Sequence, residues 1–145
     1  MSTDASSSQG CVLKMETSPG SGVFTAIDQL TSIDGPSETV NQIDTTHLSS
    51  TAKEYIGGLE DGGEVSGTMY YAANNAQHQQ LRTAKDAQTL TAFRLELNDA
   101  ISATVTRIAF SAIVTAFSFS FGVDQPVGAS FTLKISGAVT ITPAT

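Results

Sequence analysis

The last third of the chain alternates apolar and polar side chains almost without a break. Phe93, Leu95 and Leu97 alternate with Arg94, Glu96 and Asn98, and Ile101, Ala103 and Val105 alternate with Ser102, Thr104 and Thr106. Phe131, Leu133, Ile135, Val139 and Ile141 alternate in the same way with Ser130, Thr132, Lys134, Ser136 and Thr140. A period of two puts each set on its own side of an extended chain, so these segments read as antiparallel strands with one buried face. Between them, Ala109 to Gly122 is uncharged and aromatic. On strict alternation Ile113, Phe117, Phe119 and Phe121 share one face, and Val114, Ser118 and Ser120 take the other. Left at a sheet edge, such a strand would invite aggregation. It is expected either at the centre of a sheet, its phenylalanines buried within the subunit, or with its second face against another subunit.

The earlier part is less regular. Val12 to Glu16, Val23 to Asp28, Glu38 to Ile43 and Glu64 to Ala72 read as strands, separated by turn residues at 18–22 and 34–37. In the last of these strands Val65, Gly67, Met69 and Tyr71 share a face. One stretch changes period: residues 75 to 88 are rich in Ala, Gln, Lys and Arg with no Gly or Pro, and Asn74 and Asn75 precede them as possible caps. This is the one expected helix. Asp44 to Gly63 reads as a long irregular loop, and it carries Leu48, Tyr55, Ile56 and Leu59, which an isolated loop would leave in water. The expected fold is mainly β, an antiparallel β-sandwich or barrel with one flanking α-helix. The 145 residues fit a single domain, with a flexible arm at 1–11, the long loop at 44–63 and a short tail at 143–145.

Charge excludes some functions. The chain carries a net charge of -7, and its excess is segregated: ten acidic and two basic residues lie in 1–64, against four and five in 65–145. A protein that grips nucleic acid draws affinity from Lys and Arg, so this balance argues against a phosphate-binding role and against docking on an anionic membrane. No basic n-region with an apolar run marks a secretory signal at the N-terminus. Segregation on this scale points to a surface with a sign; Asp28, Asp34, Glu38, Asp44, Glu60, Asp61 and Glu64 are its candidates.

Little catalytic chemistry is visible. The two histidines, His47 and His78, have no ligand-spaced partners, and they read as ordinary polar residues in a loop and on a helix face. A lone Cys11 has no activating motif around it. Glu60 to Glu64 lacks the alternating carboxylates of a calcium loop, and no phosphate-binding glycine motif is present. No enzyme activity, cofactor or metal is expected.

The order of residues carries a resemblance. Asp44-Thr45-Thr46-His47, followed by Lys53-Glu54-Tyr55-Ile56-Gly57-Gly58-Leu59-Glu60-Asp61-Gly62-Gly63-Glu64-Val65, resembles the D-T-T … K-E-Y-I-x-G-L-x-D-G-G-E-V passage of tail tube proteins from long-tailed bacteriophages. The segment from Gly122 to Gly137 resembles that family's last strand. The resemblance implies a virion protein, made in the host cytoplasm, that closes into hexameric rings. These stack into a tail tube around a tape-measure protein, end at tip and terminator proteins, and conduct DNA during ejection. It implies that the 44–63 loop makes the ring-to-ring contact, through Asp44, Thr45, Thr46, Leu48, Tyr55, Ile56 and Leu59. In one respect the chain is expected to depart from the family, with no appended immunoglobulin-like domain after the core. Tail-like gene transfer agents, pyocins and type VI secretion tubes share the implied fold. A capsid-decoration or adhesin-like β-sandwich, monomeric and with an exposed recognition loop, is the alternative. An acidic lumen suits a conduit, because it repels phosphates and keeps the polymer mobile.

Overall fold

A computed structural model describes residues 9–18, 20–99 and 104–144. The expectations for most of the N-terminal arm, for the alternation at 101–103 and for Thr145 lie outside the described residues. The chain forms β1 (Val12–Glu16), β2 (Phe24–Ala26), β3 (Leu30–Asp34), β4 (Thr39–Asp44), β5 (Tyr55–Asp61) and β6 (Glu64–Tyr70). Then follow α1 (Ala76–Ala87), β7 (Thr91–Glu96), β8 (Arg107–Ser120), β9 (Gly128–Ile135) and β10 (Thr140–Thr142). All pairings are antiparallel. Eight strands form one sheet in the order β2-β1-β7-β8-β9-β6-β3, with β10 beside the start of β8; β4 and β5 pair only with each other. The sheet is not a closed barrel, since β2 and β3 remain as edges. A groove of about 610 Å³, lined by Leu30–Ile33 with Gln9–Cys11, Leu95 and Leu97, marks the open seam.

One core serves the whole sheet. Leu13 and Met15 of β1, Val65 and Met69 of β6, Phe93 and Leu95 of β7, and Phe131, Leu133 and Ile135 of β9 all bury into it. The alternation read from the sequence is the reason, because each strand offers these side chains to one face only. Gly67 belongs to that row for a different reason: a Cβ there would lie 2.7 Å from Cζ of Phe131, whose ring fills the space. On the opposite face hydroxyls pair with one another, Thr31 and Ser32 with Thr68 at 2.7 Å each and Ser118 with Ser130 at 2.5 Å.

Strict alternation fails in β8. A bulge between Val114 and Ala116 leaves Thr115 as the extra residue, its hydroxyl bonded to the Thr132 carbonyl. Before the bulge the even residues Phe110, Ala112 and Val114 face the core; after it the odd residues Phe117, Phe119 and Phe121 do. Val114 is therefore buried, contrary to the expected parity, and Ile113 is half-buried. The three phenylalanines do share the core-facing side, but β8 outruns the core. Phe117 packs partly against it, Phe119 is 38% exposed and Phe121 78% exposed. Full burial within the subunit does not hold for the last two.

The helix is capped by Asn75, whose Oδ1 accepts the amides of Gln77 and His78 at 3.0 and 3.3 Å, and it ends at Gln88 in the left-handed conformation. Leu81 and Ala84 enter the core. His78, read as an ordinary polar residue on a helix face, is fully buried and hydrogen-bonded through both ring nitrogens. Its Nδ1 accepts the Ala72 amide at 3.1 Å, which leaves Nε2 to donate to the Asp28 carbonyl at 2.8 Å. The neutral ring thus ties the helix to the β2–β3 turn. Gln80 adds a second tie, donating to the Glu16 and Thr17 carbonyls at 2.7 Å. Glu96, nearly buried, pairs with Lys14 at 2.8 Å and lies 3.4 Å from Nε of Arg107, close enough to pair in charge but without a well-aligned hydrogen bond.

Two outcomes follow for stability. Phe93→Ala removes a buried ring and should cost about 3–5 kcal/mol, whereas Phe121→Ala should cost under about 1 kcal/mol. Equal losses in urea denaturation would return the whole aromatic row to the core. His78→Leu leaves the Ala72 amide and Asp28 carbonyl without a partner and should lower stability by about 2–4 kcal/mol; a neutral effect would mean that shape alone fixes the helix.

Candidate assembly site

The segment read as an irregular loop contains a strand. Tyr55–Asp61 forms β5 and pairs with β4, with Ile43 opposite Ile56, Asp44 opposite Tyr55 and a bulge at Val40–Gln42. Its glycines and exposed surface hid it, for β5 is held by pairing and not by burial. The β4–β5 hairpin continues the β3–β6 ribbon past the end of the sheet. Asp34 pairs with Ser66 in the ribbon and Thr39 with Asp61 in the hairpin. The joints between them fit tightly. A Cβ on Gly35 would collide with the Glu64 carbonyl and one on Gly63 with the Ser37 carbonyl, and both glycines have positive φ. Gly62 is crowded by a side chain instead, its virtual Cβ 2.6 Å from Cγ2 of Ile135. These contacts explain the Asp61-Gly62-Gly63-Glu64 motif: it anchors an arm to a core.

The tip of the arm is held by its own polar groups. Oδ1 of Asp44 accepts the Thr46 amide at 2.9 Å, and the Thr46 hydroxyl accepts the Glu54 amide at 2.8 Å. The Thr45 amide donates to the Glu54 carbonyl at 2.9 Å. Ser50 donates to the Glu54 carboxylate at 3.2 Å and accepts the His47 amide at 3.1 Å. The Thr46 hydroxyl and amide hold the Asp44 carboxyl below its ordinary range. So Asp44, Thr45 and Thr46 shape the tip through hydrogen bonds, and the apolar side chains of the arm are left on its surface. Leu48, Tyr55, Ile56 and Leu59 all face water, Ile56 54% and Leu59 86% exposed. Val40 and Ile43, not singled out from the sequence, join them. They are three residues apart, and the bulge between Val40 and Gln42, which the sequence does not show, shifts the register between them.

The candidate carboxylates do not all come together. Asp34, Glu38, Glu60, Asp61 and Glu64 gather at the root of the hairpin, where Glu64 stands opposite Lys134. Asp61 accepts the Gly63 amide at 2.9 Å and the Lys134 ammonium at 3.3 Å, and these hold its carboxyl below the ordinary range. Asp28 lies apart in the β2–β3 turn, accepting from Asn75 at 3.1 Å. Asp44, the seventh, lies toward the arm's tip, and all seven are exposed. Among the described residues no three His, Cys, Asp or Glu side chains converge on a point where a metal could sit, and no helix is long and apolar enough to cross a membrane.

Solved structures share this fold at low sequence identity. The tail of an empty gene transfer agent particle, refined with C6 symmetry, superposes with a TM-score of 0.78 at 18% identity, covering 95% of this chain and 99% of that one. The SPP1 tail tube gives 0.75 at 11% identity, covering 96% and 80%. A chain of the anti-feeding prophage baseplate gives 0.73 at 12% identity, covering 99% and 98%. No curated protein matches the sequence. A family model described as phage tail tube, TTP, lambda-like matches residues 4–145. That match spans nearly the whole chain and agrees with the fold, so the chain belongs to the lambda-like phage tail tube family, whose members are structural proteins of the virion tail and not enzymes.

Proposed function

We propose that this chain assembles as hexameric rings that stack into the wall of a tail tube, the conduit for DNA ejection. The chain acts as a single domain over 1–145; residues 44–63 are its assembly arm and the termini, 1–11 and 143–145, reach neighbouring subunits. The observation that carries this reading is the hairpin: an ordered β-arm, rooted by tight glycine joints, with apolar residues on its surface and no fold of its own to bury them. Isolated two-stranded hairpins are marginal in water, so such an arm makes sense when a neighbour covers it. Leu48, Tyr55, Ile56 and Leu59 make the ring-to-ring contact, and Asp44, Thr45 and Thr46 hold the tip in shape. The other partners are a tape-measure protein inside the tube, terminator or tip proteins at its ends, and DNA in transit without specific binding. A gene transfer agent particle and a phage tail tube are among the structures that share the fold, which supports tail assembly.

The passage wall is net negative in this reading. Asp34, Glu38, Glu60, Asp61 and Glu64 form an acidic collar at the root of the arm, with Asp28 apart, and Lys134 is set among them, opposite Glu64 and paired with Asp61. Duplex DNA carries one charge per ~1.7 Å, so a lysine-bearing collar would brake it through counterion release. Fixed carboxylates repel it over about 8–10 Å at cellular salt.

Ile56→Asp combined with Leu59→Asp should leave a folded monomer that no longer polymerises, because both side chains are exposed in the subunit. Unchanged circular dichroism with a monomeric elution volume is the expected result; wild-type tubes from the double variant would remove the arm from assembly. Replacing Glu38, Glu60 and Glu64 by Lys should leave tubes intact under the electron microscope and reduce DNA delivery by the particle. Undiminished delivery would exclude an electrostatic role for the collar.

A further inference from the structure

The subunit has a second uncovered apolar surface, at the opposite end of the same strands. Register fixes the two ends. Glu64 of β6 stands opposite Lys134 of β9 at the hairpin end, and six residues on, Tyr70 stands opposite Gly128, which also pairs with Ser120 of β8. At about 3.3 Å per residue the two ends are separated by roughly 20 Å of sheet. At this end lies Phe119, opposite Ala129, and past it run Phe121 and Val123, the last 90% exposed. This patch is built, not merely unburied. Tyr71 meets Phe119 edge-on at 5.0 Å, Phe119 stacks with Phe121 at 6.3 Å, and the Arg82 guanidinium of α1 lies 5.5 Å above the Phe119 ring. Among the described residues Arg82 forms no ion pair.

We propose that this aromatic patch, Phe119, Phe121 and Val123 with Arg82, receives the β4–β5 hairpin of a second copy of the chain. Two features choose that occupant. The hairpin is apolar on its surface and carries four carboxylates, Asp44, Glu54, Glu60 and Asp61, against Lys53, which complements an arginine lacking a carboxylate. The arm and the patch also lie at opposite ends of one strand direction. An interface between unlike surfaces at opposite ends is heterologous, and repeating it adds subunits along the strands without closing on itself. That is the geometry of axial stacking. The aromatic rings and the arginine are residue types that dominate interface energetics. This inference rests on the arm's role in assembly and adds the surface that receives it.

A photo-cross-linking residue placed at Leu48 of the full chain, activated at concentrations at which the protein polymerises, tests the pairing, with the products mapped by mass spectrometry. The expected products join Leu48 of one copy to peptides containing residues 117–127 or Arg82 of another. Cross-links between copies that map elsewhere, to the β2 edge or to another hairpin, would overturn the receiving surface and leave the arm's role standing. Absence of any product between copies would overturn both. Phe121→Ser gives an independent reading: it should leave the circular dichroism unchanged and raise the concentration needed for polymerisation about tenfold or more. An unchanged threshold would overturn the proposal.

Discussion

The strands of this protein are longer than the core they enclose. Burial explains the middle of the sheet, where Val65, Phe93, Phe131 and Leu133 meet. It does not explain the β3–β6 ribbon, which runs on as the β4–β5 hairpin, or the end of β8, which runs on as an aromatic row. Each extension is ordered by local means. The hairpin has ladder hydrogen bonds and a polar tip, and the row has ring contacts and a guanidinium. Ordering exposed apolar groups costs conformational entropy that burial in the subunit does not return, so the balance falls to association.

The joints show how the subunit keeps the arm from collapsing onto its own sheet. Gly35 and Gly63 adopt positive φ and bring backbone against backbone, while Gly62 sits against Ile135. Asp61 locks the turn through the Gly63 amide and Lys134. A side chain at Gly35 or Gly63 would force backbone away from backbone at the joint, and one at Gly62 would displace Ile135. On the other flank, His78 and Gln80 pin the helix to the turns before β2 and β3, which places Arg82 over Phe119. Thus one buried imidazole, stacked on Tyr71 beneath the aromatic row, anchors the helix one turn before the residue at the edge of the patch.

Most of the sheet was legible in the alternation, because period two survives wherever a strand buries one face. The helix was legible for the converse reason: residues 75–88 lack both that period and any breaker. What failed to show has physical causes. The bulge at Thr115 leaves no trace in composition, since Ser, Thr, Ala and Phe fit either face of β8. The strand at Tyr55–Asp61 looked like a loop because two glycines interrupt it and its hydrogen bonds, not its side chains, hold it. Leu30–Asp34 was missed as a strand because only Leu30 and Ile33 turn inward. Alternation tells which face a residue takes but not whether another layer covers it, so Phe121 read as core and is surface. Leu48, Tyr55, Ile56 and Leu59 stood out in the sequence as apolar residues in a segment with no visible core, and all four are exposed in the subunit.

A cryo-electron microscopy reconstruction of the polymer formed by the purified chain tests the central claim most directly. The account predicts a tube of sixfold rings in which each β4–β5 hairpin crosses from its own ring to the next, with Ile56 and Leu59 buried there. Dispersed monomers at high concentration, or a tube whose hairpins stay in water or fold back on their own subunits, would contradict it.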